Sequence, residues 1–291
     1  MKIAITGGNG LLGSTLLRQA KMLDVEAVQL TRDIFNCKTT LSMLTTFLEK
    51  VGCSVLIHCA ANTNVEACED DVLTCYKDNV LLTELLINAC RINSIKLVFI
   101  SSTGIYGNYQ DAPYCEYDDV FPTTNHHRSK WLAEQKINQL LTDFLIIRTG
   151  WLFGGDWSMN KNFVANRIKE SLNAVGSLSS DDSQYGNPTY VHDVSAHIFK
   201  LIEQNWCGTF NCVNKGRASR FEYVSEVIRL SGINILVEPI AGAAFNRKAK
   251  VSHNESAINF KLSQFGLDAM PSWKDSLASY ISTIRSEYER T

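Results

Sequence analysis

Residues 2–13 of the chain read KIAITGGNGLLG and decide its fold. The apolar run Lys2 to Thr6 is typical of a buried strand and leads directly into a glycine-rich turn. Leu11 to Met22 follows with apolar residues at helical spacing. A strand, a glycine turn and a helix in this order are the context of a dinucleotide site, because the first N–H groups of the helix face a pyrophosphate. The spacings that fit are Gly8-x-Gly10-x-x-Gly13 and Gly7-x-x-Gly10-x-x-Gly13.

Short apolar strands alternate with longer helical patterns over the first half of the chain. The predicted strands are 2–6, 25–30, 55–59, 96–100 and 144–148, and the predicted helices are 11–22, 41–51, 72–91 and 127–141. Alternation of this kind produces right-handed βαβ units. The sequence therefore predicts an α/β fold with a Rossmann-like, doubly wound parallel sheet.

The pattern changes beyond about Gly150, where helical stretches at 160–173, 219–231 and 273–287 are separated by longer polar loops. No repeat or Pro-rich linker interrupts the chain. We predict a dinucleotide-binding Rossmann domain over residues 1–150. Residues 151–291 are predicted to form mainly a smaller substrate-binding lobe, with some return to the Rossmann core.

Composition excludes several classes of function. The 291 residues are 45% hydrophobic and 20% charged with a formal net charge of −2, so the chain is globular and has no basic excess for nucleic acid. No apolar run reaches the roughly 18 residues of a membrane helix, and the N-terminal run is too short for a signal peptide. We expect a cytoplasmic protein whose nine scattered cysteines are reduced thiols, with no metal site.

The end of the second strand decides between NAD and NADP, because an acid there binds the ribose 2′-hydroxyl and a cation binds a 2′-phosphate. The residues are Leu30, Thr31, Arg32 and Asp33. Thr31 and Arg32 at the tip favour NADP(H), and Asp33 leaves NAD(H) as the alternative.

Further motifs follow the other strands of the first half. They are His58 to Glu66 (HCAANTNVE), Asn79-Val80, Ser101 to Gly107 (SSTGIYG), Arg148 to Gly154 (RTGWLFG) and Gln184 to Tyr190 (QYGNPTY). Together they resemble the extended short-chain dehydrogenase/reductase superfamily, most closely its dTDP-4-dehydrorhamnose reductase branch. The resemblance covers nearly the whole chain and implies cofactor contacts from Gly7, Asn9, Gly10, Leu11, Leu12, Cys59, Ala60, Ala61 and Asn79.

In such enzymes a Ser or Thr after the fourth strand binds the reacting carbonyl, and a Tyr-x-x-x-Lys pair supplies an acid and a cofactor anchor. By resemblance Ser102 takes the carbonyl position, with Thr103 as its neighbour, and Lys130 takes the lysine position. Residues four apart share one helix face, so the lysine can act on both the acid and the cofactor ribose. His126 stands where the family has tyrosine.

Three roles compete for His126. It can replace the tyrosine as an acid/base oriented by Ser102, or bind substrate while water donates the proton. In the third, the site is catalytically silent and keeps ligand binding for regulation. Lys130 and Arg128 are expected to lower the pKa of His126. His127 is expected to be a partly exposed side chain rather than a second catalyst.

For the substrate, the resemblance points to Thr103, Gln184 and Thr189. Trp151 and Trp157, which flank the exit of the fifth strand, are candidates for the pocket wall, and packing in the core or between the lobes is an equal alternative. Arg247, Lys248 and Lys250 could meet a diphosphate, although a charge run of this kind is more often solvated. An Arg-Pro element that the branch carries near this position is absent.

The resemblance implies an NADP(H)-dependent reductase of a nucleotide-linked 4-keto-6-deoxy sugar. Two alternatives stay open: a non-catalytic NADP-binding regulatory or partner subunit, which the missing tyrosine would suit, and a nucleotide-sugar epimerase, which needs tightly held NAD. The superfamily often dimerises through paired helices. The homodimer candidates here are the helix from Val72, with Leu81, Leu82, Leu85 and Leu86, and the helix bearing Lys130.

Overall fold

Parallel strands form the central sheet of the computed structural model, which describes residues 1–245 and 247–289. The strands are β1 (Lys2–Thr6), β2 (Glu26–Leu30), β3 (Val55–His58), β4 (Lys96–Ser102), β5 (Phe144–Thr149), β6 (Trp151–Phe153), β7 (Ser177–Asp181), β8 (Tyr185–Gly186), β9 (Pro188–Tyr190), β10 (Gly208–Asn211), β11 (Ala218–Ser219) and β12 (Leu236–Ile240). The α-helices are α1 (Leu11–Met22), α2 (Leu41–Val51), α3 (Val65–Asp70), α4 (Val72–Tyr76), α5 (Leu82–Asn93), α6 (Asn125–Leu140), α7 (Phe163–Asn173), α8 (Val191–Glu203), α9 (Arg220–Ser231), α10 (Phe260–Gln264) and α11 (Trp273–Tyr288).

The strand order of the central sheet is β10-β5-β4-β3-β1-β2, and every neighbouring pair is parallel. Helices α1 and α8 pack on one face, and α2, α5 and α6 pack on the other. The predicted Rossmann-like, doubly wound sheet is confirmed. The chain leaves β1 for β2 on one side and returns as β3 on the other, so ligands are expected where the loops after β1 and β3 part.

The predicted helix 72–91 is confirmed as a continuous helical stretch, although it is not a regular α-helix throughout. The chain forms α4, a π-helical turn at Lys77–Leu81 and then α5. The extra residue of a π turn rotates the helix locally, and Asn79 lies in it fully buried. Helix α6 begins at Asn125, earlier than predicted, because the Thr124 side chain accepts from the N–H of His127 and caps the helix.

The C-terminal part is built from two-stranded pairs, β6 with β9, β7 with β12 and β8 with β11. Helices α7, α9 and α11 pack around a separate aromatic core that contains Phe153, Tyr223 and Tyr280. Strand β10 pairs with β5 of the central sheet. All nine cysteines are free thiols, as predicted. Within the described ranges, no helix is long and apolar enough to cross a membrane.

Candidate functional site

The glycine turn packs directly against the loop after β3. Gly7 has a φ of +70°, and a Cβ on it would lie 2.7 Å from the backbone nitrogen of Ala60. Gly10 caps α1 without a side-chain hydrogen bond, so the first N–H groups of this helix have no side-chain partner. These groups, together with the positive end of the helix dipole, suit a pyrophosphate. We call residues 6–12 and 59–61 the cofactor edge; it contains the predicted Gly7, Asn9, Gly10, Leu11, Leu12, Cys59, Ala60 and Ala61.

A buried histidine fixes the two loops of the cofactor edge to each other. Thr6 Oγ1 accepts from the N–H of Ala60 at 3.1 Å and lies 2.7 Å from His58 Nδ1. The other ring nitrogen of His58 lies 3.0 Å from Thr83 Oγ1. Burial lowers the pKa of His58 to about 3, so the ring is neutral. His58 therefore has a structural role behind the cofactor edge.

Thr31 and Arg32 follow β2 and are exposed. Leu30 pairs with Thr6, so the β2 tip lies beside the glycine turn. Gln29 contributes a link between the two, donating to Asn9 Oδ1 at 3.1 Å. This is the position from which a cation can reach the ribose 2′ position.

Asn79 is buried, and both the oxygen and the nitrogen of its side-chain amide are hydrogen-bonded. Its Oδ1 accepts from the N–H of Asn62 at 2.7 Å. Its Nδ2 donates to the Asn62 carbonyl at 3.1 Å and to Ser129 Oγ at 2.9 Å. Asn79 thus holds the segment after the cofactor edge against α6, and a direct contact with cofactor stays a prediction.

Ser102 ends β4, and Lys130 lies on α6 beside that strand. The Lys130 ammonium donates to the carbonyl of Ile100 at 2.8 Å and lies 4.6 Å from the centre of the Phe99 ring. Burial lowers its pKa to about 8. Ser102 Oγ accepts from the N–H of Gly104 at 3.1 Å. The two side chains therefore reach the same end of β4.

His126 is buried against the segment that follows the cofactor edge. Its Nδ1 lies 2.9 Å from the carbonyl oxygen of Asn62, which can only accept, so Nδ1 carries a proton. Burial, followed by His127 and Lys130, lowers the pKa of His126 well below its ordinary value. In the neutral ring Nε2 is therefore unprotonated and able to accept a hydrogen bond.

The expectation for His127 is wrong: its side chain is buried, with 5% of its surface exposed. Its Nδ1 lies 3.1 Å from Thr124 Oγ1, and its Nε2 lies 3.5 Å from Ser102 Oγ. The predicted contact of Ser102 with a histidine is thus made by His127, because capping by Thr124 turns this residue of the first helical turn toward β4.

A cavity of about 440 Å³ adjoins these groups. Ser102, His126 and His127 line it from the sheet side. It lies beside the segment that follows the cofactor edge, because His126, which lines it, is bonded to Asn62, the residue after Ala61. Three arginines of the C-terminal part also line the cavity, and we call Arg167, Arg220 and Arg247 the arginine wall.

Arg220 is held by aromatic stacking. Its guanidinium carbon lies 3.4 Å from the centre of the Trp151 ring, and its Nε donates to Gln184 Oε1 at 3.4 Å. The Trp151 indole N–H donates to Glu255 Oε2 at 2.8 Å. Burial lowers the pKa of Arg220 to about 10, which leaves it charged near neutral pH. Trp151 and Gln184, both predicted to contact substrate, thus line the cavity with Arg220 between them.

Charge in the cavity is mixed. Glu66, Asp181 and Glu255 also line it, and each carboxylate accepts from an N–H group of the protein, at 2.9, 2.8 and 2.8 Å respectively. Arg167 pairs with Glu170 at 2.7 Å, and its buried Nε has no hydrogen-bond partner among the described residues. The arginine wall therefore retains donors for an anionic ligand such as a diphosphate.

Other predicted residues lie elsewhere. Thr103 is buried outside the cavity lining, and Thr189 donates to the carbonyl of Asn187 at 2.9 Å, also outside the lining. Trp157 packs against Tyr288 in the C-terminal core. Of the three predicted loop cations Arg247 lines the cavity, Lys248 pairs with Asp70, and Lys250 is exposed.

Sequence reasoning missed Arg167, Arg220, Asp181 and Glu255. One signal was available for Arg220: Ser219 and Glu222 form a capping box, which marks the start of α9 and places Arg220 in its first turn. Nothing local in the sequence connects this helix start with Trp151, which is far away along the chain.

A parallel sheet with a glycine turn at its switch point, a serine at the end of β4 and a lysine on the helix beside that strand are features of the extended short-chain dehydrogenase/reductase class. Within that class the chain belongs to the RmlD substrate binding domain family, whose model matches residues 1–286.

Several relatives carry a common name. A dTDP-4-dehydrorhamnose reductase of Mycobacterium tuberculosis is 27% identical over 287 residues, which cover 97% of this chain and 92% of the relative. The crystal structure of a dTDP-4-dehydrorhamnose reductase from Clostridium acetobutylicum is 30% identical, with a TM-score of 0.93, and covers 98% and 100% of the two chains. The Bacillus anthracis reductase, solved in complex with NADP, is 26% identical with a TM-score of 0.91 and covers 97% and 99%.

Proposed function

We propose that the protein is an NADPH-dependent reductase of a dTDP-linked 4-keto-6-deoxy sugar. The observation that carries this proposal is that one cavity is lined both by the arginine wall and by His126, and that His126 is bonded to Asn62, the residue that follows the cofactor edge. Relatives over nearly the full chain are named dTDP-4-dehydrorhamnose reductase, and one was solved with NADP. A cytoplasmic location and a homodimer stay predictions.

The cofactor edge fits a dinucleotide, because the Gly7 backbone lies so close to Ala60 that a side chain would fill the cradle. The turn and the start of α1 would hold the pyrophosphate, Arg32 the 2′-phosphate, and Lys130 the nicotinamide ribose. When bound, the reduced nicotinamide supplies a hydride to a carbonyl carbon.

Ser102 would hydrogen-bond the oxygen of the reacting carbonyl and stabilise the negative charge that develops on it. The arginine wall would bind the diphosphate, and Trp151 would give the sugar nucleotide an apolar surface. His126 can donate a proton to the alkoxide only after it binds a second proton, because Nδ1 is already committed to Asn62. We therefore expect reduction to be faster at acidic pH.

A second candidate function, binding of cofactor and nucleotide sugar without turnover, is supported by the same histidine. A neutral ring with its one proton bonded to Asn62 is a poor replacement for a phenol. In this case the protein would act as a regulatory or partner subunit.

The test is NADPH oxidation, followed by absorbance over a pH series, with dTDP-4-keto-6-deoxyglucose and its UDP counterpart. We expect the native protein to turn over the dTDP sugar, and His126→Ala to lose that activity. An inactive native protein together with an active His126→Tyr variant would overturn the reductase and establish the binding role.

A further inference from the structure

Three side chains connect the start of α6 to the end of β4. The Thr124 hydroxyl lies 3.1 Å from His127 Nδ1, and His127 Nε2 lies 3.5 Å from Ser102 Oγ. Thr124 is fully buried, and His127 is nearly so. The 3.5 Å separation is at the long end of the hydrogen-bond range.

The neighbouring hydrogen bonds determine which group donates and which accepts along these three side chains. Thr124 Oγ1 accepts from the backbone N–H of His127 at 3.2 Å. Among the described residues, Nδ1 is the acceptor within reach of the buried Thr124 hydroxyl proton, so this proton points to Nδ1. Nε2 then carries the ring proton and donates it to Ser102. Ser102 Oγ also accepts from the N–H of Gly104, so both lone pairs are used and its proton is left for a ligand in the cavity.

We propose that His127 is a positioning residue that keeps the proton of the Ser102 hydroxyl directed at the carbonyl oxygen of the substrate. The proposal rests on the proposed function for its substrate. A serine with its proton turned toward an imidazole would be a nucleophile instead, so the direction of this one hydrogen bond decides which chemistry Ser102 supports.

The absence of a side chain at Gly104 gives the His127 ring the space that this role requires. A Cβ at this position would lie 2.3 Å from both Cε1 and Nε2 of His127, so only glycine leaves space for the ring next to Ser102. The ionisable groups near the ring are His126 and Lys130. Burial lowers the pKa of His127 to about 4, so a neutral ring with one proton persists near neutral pH.

Kinetics of three variants test the proposal. We expect His127→Leu to lower kcat by about 100-fold, the effect of losing a group that serves the transition state, while KM for the sugar nucleotide and the NADPH Kd change little. His127→Gln can still donate to Ser102 and should recover most of that loss. Gly104→Ala should reproduce the His127→Leu result. His197→Leu, which removes a buried histidine bonded to Leu267, is the control for packing and should keep kcat.

NMR of the histidine ring nitrogens tests the hydrogen-bond direction without turnover. We expect a neutral ring with the proton on Nε2 of His127. A proton on Nδ1, no rescue by His127→Gln, or an equal loss in His197→Leu would overturn the proposal. If the native protein reduces no keto sugar, the proposed function fails, and the tautomer still decides the role of His127.

Discussion

The cofactor edge and the arginine wall serve the same cavity but are built from different parts of the chain. The cofactor edge uses mainly backbone groups at the carboxyl ends of β1 and β3, which are neighbours in the sheet. The arginine wall uses side chains from α7, the start of α9 and the loop near Arg247. Backbone geometry depends on glycines in a fixed order, whereas the wall depends on how distant helices pack.

Because the two regions are built differently, they should tolerate different substitutions. A backbone cradle is lost when any side chain fills it, whereas a wall of guanidinium groups loses affinity one donor at a time. Changes in one region should therefore leave ligand binding at the other intact. The predictions below test that independence.

The largest effect is expected from Gly7→Ala at the cofactor edge. The new Cβ would lie 2.7 Å from the Ala60 nitrogen at a φ of +70°, so the loops must separate. We expect NADPH affinity to fall by about 1000-fold, with dTDP binding retained. Gly52→Ala is the matched control, because φ is +63° there and nothing lies within 4 Å. Equal losses of NADPH affinity in both variants would show that strain, rather than the cradle, matters.

In the arginine wall, Arg220→Met should weaken dTDP binding by about 100-fold, because a charge-assisted contact to the diphosphate is lost. NADPH affinity should stay the same. Arg229→Met on the same helix is the control, since Arg229 is exposed and paired with Glu226. Calorimetric titration of each variant with dTDP and with NADPH gives both numbers. Loss of NADPH binding in Arg220→Met would contradict the independence of ligand binding at the two regions.

His127, which lines the cavity between the two regions, should make the stability of the protein depend on pH in the acid range. The pKa of His127 is about 4 in the native state against an ordinary 6.5, so the unfolded chain binds a proton that the folded chain does not. Stability is therefore lost as pH falls below 6.5, by roughly 2 kcal/mol from this residue between pH of about 7 and about 5. Urea unfolding of the native protein and of His127→Gln at both pH values measures this. An unchanged pH dependence in His127→Gln would contradict it.

The smallest effect is expected at the tip of β2. Arg32→Ala should weaken NADPH binding by about 10-fold and leave NADH binding unchanged, because only NADPH carries the 2′-phosphate. Lys38→Ala removes an exposed cation from the same loop and serves as the control. Fluorescence titration with each cofactor gives the ratio of the two dissociation constants. An unchanged ratio in Arg32→Ala would show that Arg32 does not bind the 2′-phosphate.

The central sheet could be predicted from the amino-acid sequence, and so could the glycine turn of the cofactor edge. Strand, turn and helix lie within residues 2–22, and their apolar spacing and glycines report local geometry directly. The placement of His126 and Lys130 on one helix face could also be predicted, because residues four apart share a face in any α-helix. The π-helical turn at Lys77–Leu81 could not be predicted, because its buried Asn79 bonds to Asn62 and Ser129, which are far away in sequence.

Which of the two adjacent histidines contacts Ser102 became clear from the folded structure. The sequence favoured His126, whereas the contact made by His127 depends on the Thr124 cap and on the space that Gly104 leaves. The arginine wall could not be predicted from the sequence either, because the position of Arg220 in the cavity depends on its stacking on Trp151. Local patterns encode backbone conformation, whereas contacts between distant side chains exist only once the chain has folded.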